Sequence, residues 1–252
     1  MVTNTVLITG ASAGFGAAIA RRFVADGHRV VATARRATKL QELHDELGDA
    51  LLPIELDVTD AASVAALPDR LPAAFAEIDV LVNNAGLAKG LAPAAAAALS
   101  DWDTMIATNV SGLVHVTRAF LPGMVDRDRG HVVNLGSIAG TYPYPGGNVY
   151  GATKAFVHQF SLNLRSDLKG SRVRVSCIEP GMCGGTEFST VRFDGDEEKV
   201  AALYDGAEPI TADDIAESVA WVTSLPRHVN VNTIELMPVT QSSAALQIQR
   251  WS

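Results

Sequence analysis

The sequence predicts an α/β fold: a single doubly wound domain whose seven-stranded parallel sheet carries helices on both faces. Three observations support this. Short apolar runs recur along the chain, separated by segments with apolar residues at helical spacing. The runs lack polar alternation, as strands buried on both faces do. A glycine cluster stands directly after the first run, where such sheets open their ligand crevice.

The runs are Thr5 to Thr9, Val30 to Thr33, Leu51 to Leu56, Val80 to Val82, His131 to Leu135, Val173 to Ile178 and Thr233 to Met237. The segment after the first, AAIARRFVADG, has helical spacing. Ala92 to Leu99 is alanine-rich and favours helix, with Ser100 and Asp101 placed to cap the helix that follows. Asn109 and Gly112 disfavour the interior of their helical segment and predict a local break with a functional reason. A less regular segment, Gly181 to Glu208, separates the sixth strand from a helix beginning near Thr211–Asp213; a stretch of that length reads as a substrate loop or lid. No repeat or linker divides the 252 residues, so the chain reads as one domain over 1–252.

Composition sets limits on function. An apolar content of 48% fills one continuous core, and 19% charged residues argue against disorder. A net charge of -8 points away from nucleic acid and anionic membranes. Two cysteines are too few for a disulfide framework and suit a reducing compartment. The N-terminus lacks the pattern of a signal peptide, and no apolar stretch reaches the ~18 residues of a membrane span, so a cytoplasmic, soluble protein is expected. The six histidines are dispersed, and no metal is expected.

Gly10, Ser12, Gly14, Phe15 and Gly16 lie between the first strand and the first helix, spaced G-x-x-x-G-x-G. Glycines there allow a tight turn and close approach of backbone amides to a pyrophosphate, and the helix N-terminus adds partial positive charge. The second strand ends in Arg35 and Arg36 with no carboxylate. An acidic residue there would bind a ribose 2′-hydroxyl, whereas two guanidiniums suit a 2′-phosphate, so the cofactor read from these residues is NADP. Asp57 and Val58 end the third strand, where a carboxylate can accept from an adenine amino group. Asn83, Asn84, Ala85 and Gly86 end the fourth. The asparagines can tie strand ends together, Asn83 being either structural or in direct contact with the cofactor, and Gly86 leaves space.

Tyr150 and Lys154 are four residues apart, on one face of a helix. An ammonium near a phenol favours phenolate, which would let Tyr150 exchange a proton with an alcohol oxygen near neutral pH. Ser137 follows the fifth strand at the same sheet edge and can polarise a carbonyl.

Taken in order, Thr9-Gly10-x-x-x-Gly14-x-Gly16, Asn83-Asn84-Ala85-Gly86, Asn109, Ser137, Tyr150-x-x-x-Lys154 and Pro180-Gly181 resemble the short-chain dehydrogenase/reductase family over essentially the whole chain. The resemblance implies a Rossmann-type sheet and an oligomer, here expected as a homotetramer. It implies that Tyr150 is the general acid/base, that Lys154 lowers its pKa and holds the nicotinamide ribose, and that Ser137 orients the substrate carbonyl. It further implies that the Asn109 backbone holds a water in a proton relay, and that Pro180, Gly181 and Thr186 contribute to the cofactor site.

Within the family, Thr186-Glu187-Phe188-Ser189-Thr190-Val191-Arg192-Phe193 is similar to the T-E-F-S-x-V-R-F stretch of the NADP-dependent 3-hydroxy acid dehydrogenases. Residues 146–150, 153–157, 160–165 and 238–242 are similar to that group as well. The resemblance implies serine, allo-threonine, 3-hydroxypropionate or malonic semialdehyde as substrates. Four residues, Met182 to Gly185, separate Pro180-Gly181 from Thr186, where three are common in the wider family; this leaves open which loop amide meets the nicotinamide carboxamide. Arg192 suits a substrate carboxylate, or else anchors the loop through Glu187 or Asp194. Cys183 reads as a packed thiol, and Tyr142 and Tyr144 either wall the pocket or fix a loop. Alternative functions are a broad ketone or aldehyde reductase and a non-catalytic NADP-binding sensor.

Overall fold

A computed structural model describes residues 3–243; residues 1–2 and 244–252 of the expected 1–252 domain lie outside the described part. All seven expected strands are present: β1 Thr5–Thr9, β2 Arg29–Ala34, β3 Leu51–Glu55, β4 Val80–Asn83, β5 Gly130–Leu135, β6 Val173–Pro180 and β7 Thr233–Leu236. They form one parallel sheet in the order β3-β2-β1-β4-β5-β6-β7. The helices are α1 Gly14–Ala25, α2 Ala37–Leu47, α3 Ala61–Ala65, α4 Leu67–Arg70, α5 Leu99–Ile106, α6 Leu113–Asp126, α7 Asn148–Asp167, α8 Phe188–Arg192, α9 Glu197–Tyr204 and α10 Ala212–Ser224.

The central strands of the sheet are buried on both sides because their residues are mostly apolar on both faces. In β1, Val6 and Ile8 face a core formed with α1, α2 and α10, while Leu7 faces the opposite core with α4 and α6. One run thereby supplies both layers, which explains the missing polar alternation. The chain winds outward from β1 to β3, then returns to place β4 on the other side of β1. Connections leave β1 and β4 in opposite directions and open a crevice at their C-terminal ends.

The expected break near Asn109 is a π-helical stretch, Ala107–Gly112, joining α5 to α6. A Cβ on Gly112 would lie 2.7 Å from Val58 Cγ2, so glycine is needed for close packing there. The alanine-rich segment is a correction: it holds only a three-residue 3₁₀ turn, Ala94–Ala96, preceded by extended Pro93. Exposed alanines bury too little surface to stabilise a helix by propensity alone. Ser100 and Asp101 are not caps either; α5 begins at Leu99 with Ala98 before it, leaving both in the first turn. Thr211 does cap α10, in a reciprocal box with Asp214. Among the described residues no helix is long and apolar enough to cross a membrane.

Candidate active site

A cleft of about 630 Å³ lies over the C-terminal ends of the strands. Its floor is set by the β1 and β4 termini. Gly10 has φ +67°, and a Cβ there would fall 2.9 Å from Ala85 Cα. Both conditions demand glycine. Asn84 ties the two strands: its Nδ2 donates to the carbonyls of Thr9 (2.8 Å) and Gly10 (3.2 Å). The Thr9 hydroxyl accepts from the amides of Asn84 and Ala85. Gly16 is not part of the lining. A Cβ there would run into the Gly10 carbonyl, so its role is packing of α1 against the loop.

Asn83 is resolved as structural. It is buried, and its Nδ2 donates to Thr117 Oγ1 (2.8 Å) and Asn134 Oδ1 (2.9 Å). Asn134 donates onward to Ser161. This internal chain links β4, β5, α6 and α7 beneath the cleft; the polar residue inside the run VVNL was its signal in the sequence.

Ser12, Gly14, Phe15, Arg35, Arg36, Asp57 and Val58 line one end of the cleft, which we call the nucleotide end. No side chain caps α1, and its first turn carries no acidic residue, leaving the partial positive charge of its amides for an anion. Arg36 donates to Ser12 Oγ and pairs with Glu187 at 2.8 Å. One Asp57 oxygen accepts from the amide and hydroxyl of Thr59.

At the other end stand Ser137, Tyr150 and Lys154. Ser137 follows β5; its Oγ accepts from the Ala139 amide (3.1 Å) and donates to the Pro180 carbonyl at 3.4 Å. Tyr150 and Lys154 share one face of α7, both 8% exposed, with Nζ 5.9 Å from the phenol ring centre. Nζ donates to the Leu135 carbonyl at 2.8 Å. Gly86 lies beside it; a Cβ there would be 3.3 Å from Asn109 Oδ1 and in ordinary contact with Nζ at 3.6 Å.

The acidity of Tyr150 is set by several neighbours. Burial pushes the phenol above its ordinary value, while a hydrogen bond with Ser137 and the charge of Arg192 pull it down. The Lys154 ammonium is directed at the Leu135 carbonyl, and burial lowers its own pKa to about 8. Asn109 does not line the cleft; its neighbour Thr108 does. The Asn109 side chain instead clasps the amide and carbonyl of Leu87 and donates to Thr153 Oγ1, joining the π stretch to the β4 loop and α7.

The Gly181–Glu208 segment is more regular than expected, because it contains α8 and α9. Pro180, Gly181 and Thr186 line the cleft, and Thr186 lies over Gly14. The amides of Gly181 and Met182 are occupied by the Leu236 carbonyl and Gln241 Oε1. Arg192 does not pair with Glu187 or Asp194, which hold Arg36 and Lys89 instead. Its Nη2 donates to Tyr144 Oη at 2.6 Å, and its guanidinium carbon sits 5.6 Å from the Tyr150 ring centre. Tyr142 and Tyr144 both wall the pocket, Tyr142 also binding Glu235. Cys183 lines the cleft with a thiol that burial raises to about 12, which keeps it protonated.

Several lining residues were not singled out in the sequence. Tyr204 folds back from α9 to donate to the Cys183 carbonyl (2.6 Å), and Gln241 reaches in from beyond β7. Tyr204 carries no local pattern, and Gln241 lies in the similar stretch 238–242 without a role assigned to it, because the contact of each is with a partner far away in the chain.

Comparison with known proteins agrees with this geometry. NADP-dependent 3-hydroxy acid dehydrogenase YdfG of Salmonella typhi is 60% identical over 245 residues, 97% of this chain and 99% of that protein. Serine 3-dehydrogenase of Agrobacterium fabrum is 54% identical over the full length of both. The closed form of a serine dehydrogenase complexed with NADP+ superimposes with a TM-score of 0.97 at 58% identity, covering 98% of this chain and 100% of that one. The short chain dehydrogenase model matches residues 4–197, the stretch that holds the glycine loop, Ser137, Tyr150 and Lys154, and the chain belongs to that family.

Proposed function

We infer that this protein is an NADP-dependent oxidoreductase that interconverts 3-hydroxy acids and 3-oxo acids, with residues 1–252 acting as one cofactor-binding and catalytic domain. The carrying observation is the position of Arg192 against Tyr150. Among the described residues of the cleft, the carboxylates are Asp57 and Glu187, both at the nucleotide end. The catalytic end thus offers a guanidinium and no competing acid, an environment suited to a substrate carboxylate. The similar proteins described above, 3-hydroxy acid and serine dehydrogenases, point the same way.

The residues present fit NADP. The uncapped α1 N-terminus and Gly10 would hold the pyrophosphate, Arg35 and Arg36 the 2′-phosphate, and Asp57 and Val58 the adenine. Asn84, Ala85 and Gly86 would border the nicotinamide ribose, with Lys154 donating to its hydroxyls. Bound nicotinamide supplies or takes the hydride. In reduction, Ser137 holds the substrate oxygen and Tyr150 delivers its phenol proton to that oxygen; in oxidation Tyr150 takes the proton back. Arg192 holds the carboxylate and favours the phenolate of Tyr150.

Exposed apolar side chains on α5 to α7 (Leu99, Ile106, Phe156) and on α10 (Trp221) support a homotetramer, and two free thiols support a cytoplasmic setting. The test of function is NADPH oxidation with malonic semialdehyde and with a panel of neutral ketones. Much faster turnover of the acid is expected; equal rates for both would favour a broad ketone reductase, and none for either a sensor.

A further inference from the structure

The nucleotide end holds a connection that hydride transfer itself does not require. Arg36, at the end of β2, uses two nitrogens on the Ser12 hydroxyl (3.2 and 3.0 Å) and a third on Glu187 (2.8 Å). Ser12 belongs to the glycine loop below the cleft, Glu187 to the segment above it. One guanidinium therefore joins the floor of the nucleotide site to the substrate loop.

Glu187 is also the residue from which α8 starts. That helix spans five residues, about 7.5 Å at ~1.5 Å per residue, and both its ends reach the catalytic tyrosine. Phe188 lies 5.8 Å from Tyr150 between ring centres, and Arg192 lies 5.6 Å from the same ring. The far end is held separately, by Lys89 on Asp194 and by the Gly90 amide on the Arg192 carbonyl. The tie at Glu187 thus fixes the near end of a short lever whose other parts touch the reacting group.

An exposed ion pair of this kind is weak alone, because two long side chains must be ordered to form it. A guanidinium, however, is a rigid planar fork. An anion held against one edge orders the side chain and presets the other edge for a second acceptor. We propose that Glu187 is a positioning residue that reads the cofactor's 2′-phosphate through Arg36: the phosphate fixes Arg36, Arg36 fixes Glu187, and α8 carries that order to Tyr150. This rests on the NADP reading above and adds to it. The phosphate then contributes to the organisation of the catalytic end as well as to affinity, so the preference for NADPH over NADH is expressed in kcat and not in KM alone.

The test uses the full chain with adenosine 2′,5′-bisphosphate and with ADP, which differ in the position of one phosphate. Affinity is read by calorimetry, and order in residues 186–195 by hydrogen exchange. The bisphosphate is expected to slow exchange in that segment about threefold more than ADP does, the scale of one charge-assisted pair. In Glu187→Gln the difference disappears while the bisphosphate still binds more tightly, and kcat with NADPH falls toward the value with NADH. A merely structural glutamate would not make loop order depend on the 2′-phosphate. Equal protection by both nucleotides, or a difference that survives Glu187→Gln, overturns the proposal and leaves the NADP reading standing. Equal affinity of the unmodified protein for both nucleotides overturns the two together.

Discussion

At the nucleotide end of the cleft the charged groups stand half in water, whereas at the catalytic end they are buried. The Arg36 and Glu187 side chains are 47% and 52% exposed, but Tyr150 and Lys154 retain only 8% each. Exposed guanidiniums keep their charge whatever binds, so they suit recognition of an anion. Burial does the reverse: it raises the phenol, lowers the ammonium to about 8, and makes the protonation of each depend on its neighbours. On the proposed function, the two ends of one cavity divide the work, affinity at one and proton transfer at the other.

The hardest test of that division is Tyr150→Phe. It removes the transferable proton from a buried site and leaves the charged end untouched, so turnover is expected to fall about 10³-fold. NADPH affinity, measured by fluorescence titration, is expected to stay within about twofold, because the phenol hydroxyl is one contact among many. Activity within tenfold of the parent would place the acid/base elsewhere. The complementary change is Arg35→Ala with Arg36→Ala. Two lost charge-assisted contacts, discounted for exposure, should reduce the NADPH to NADH ratio of kcat/KM about 100-fold. The main signature lies in that ratio, so a variant that loses both cofactors equally would show that these arginines do not read the phosphate.

Arg192 lies at the junction of the two regimes, being a guanidinium against the buried phenol. Arg192→Met should lower kcat/KM for malonic semialdehyde about 30-fold, the scale of a shielded charge-assisted bond of ~2 kcal/mol. Reduction of a neutral ketone at neutral pH should barely change, since Tyr150 is protonated there in either protein. Equal losses for both substrates would make Arg192 a loop anchor, held by Gly90 and Tyr144.

The smallest effect concerns pH. Oxidation needs the phenolate, so its rate should rise with pH, and reduction needs the phenol, so its rate should fall on the alkaline side. Arg192 is among the groups that pull the phenol down, so Arg192→Met should move the oxidation profile to higher pH. A profile that stays in place, with hydride transfer shown to be rate-limiting by isotope effect, would remove Arg192 from the electrostatics of Tyr150.

Much of this arrangement was legible in local pattern. Apolar runs marked the strands, most clearly the central ones, because a strand covered on both faces is mostly apolar on both. The glycines at 10, 14 and 16 marked the turn after β1, because a positive φ or a close approach excludes other residues. Asn109 and Gly112 marked the π stretch, because both are poor in a regular helix. The alanine-rich segment misled, since propensity is a weak term beside burial.

What the sequence by itself determined is the set of strands, their order and the residue types delivered to the strand ends. These follow from backbone sterics and hydrophobic periodicity, which act over a few residues. The tertiary structure alone decided the partnerships: Asn83 with Thr117 and Asn134, Glu187 with Arg36, Arg192 with Tyr144, and Lys154 with the Leu135 carbonyl. It also decided the direction in which Tyr150 titrates, because desolvation is a property of everything packed around a group. Such interactions reach across the fold between residues that no local spacing connects.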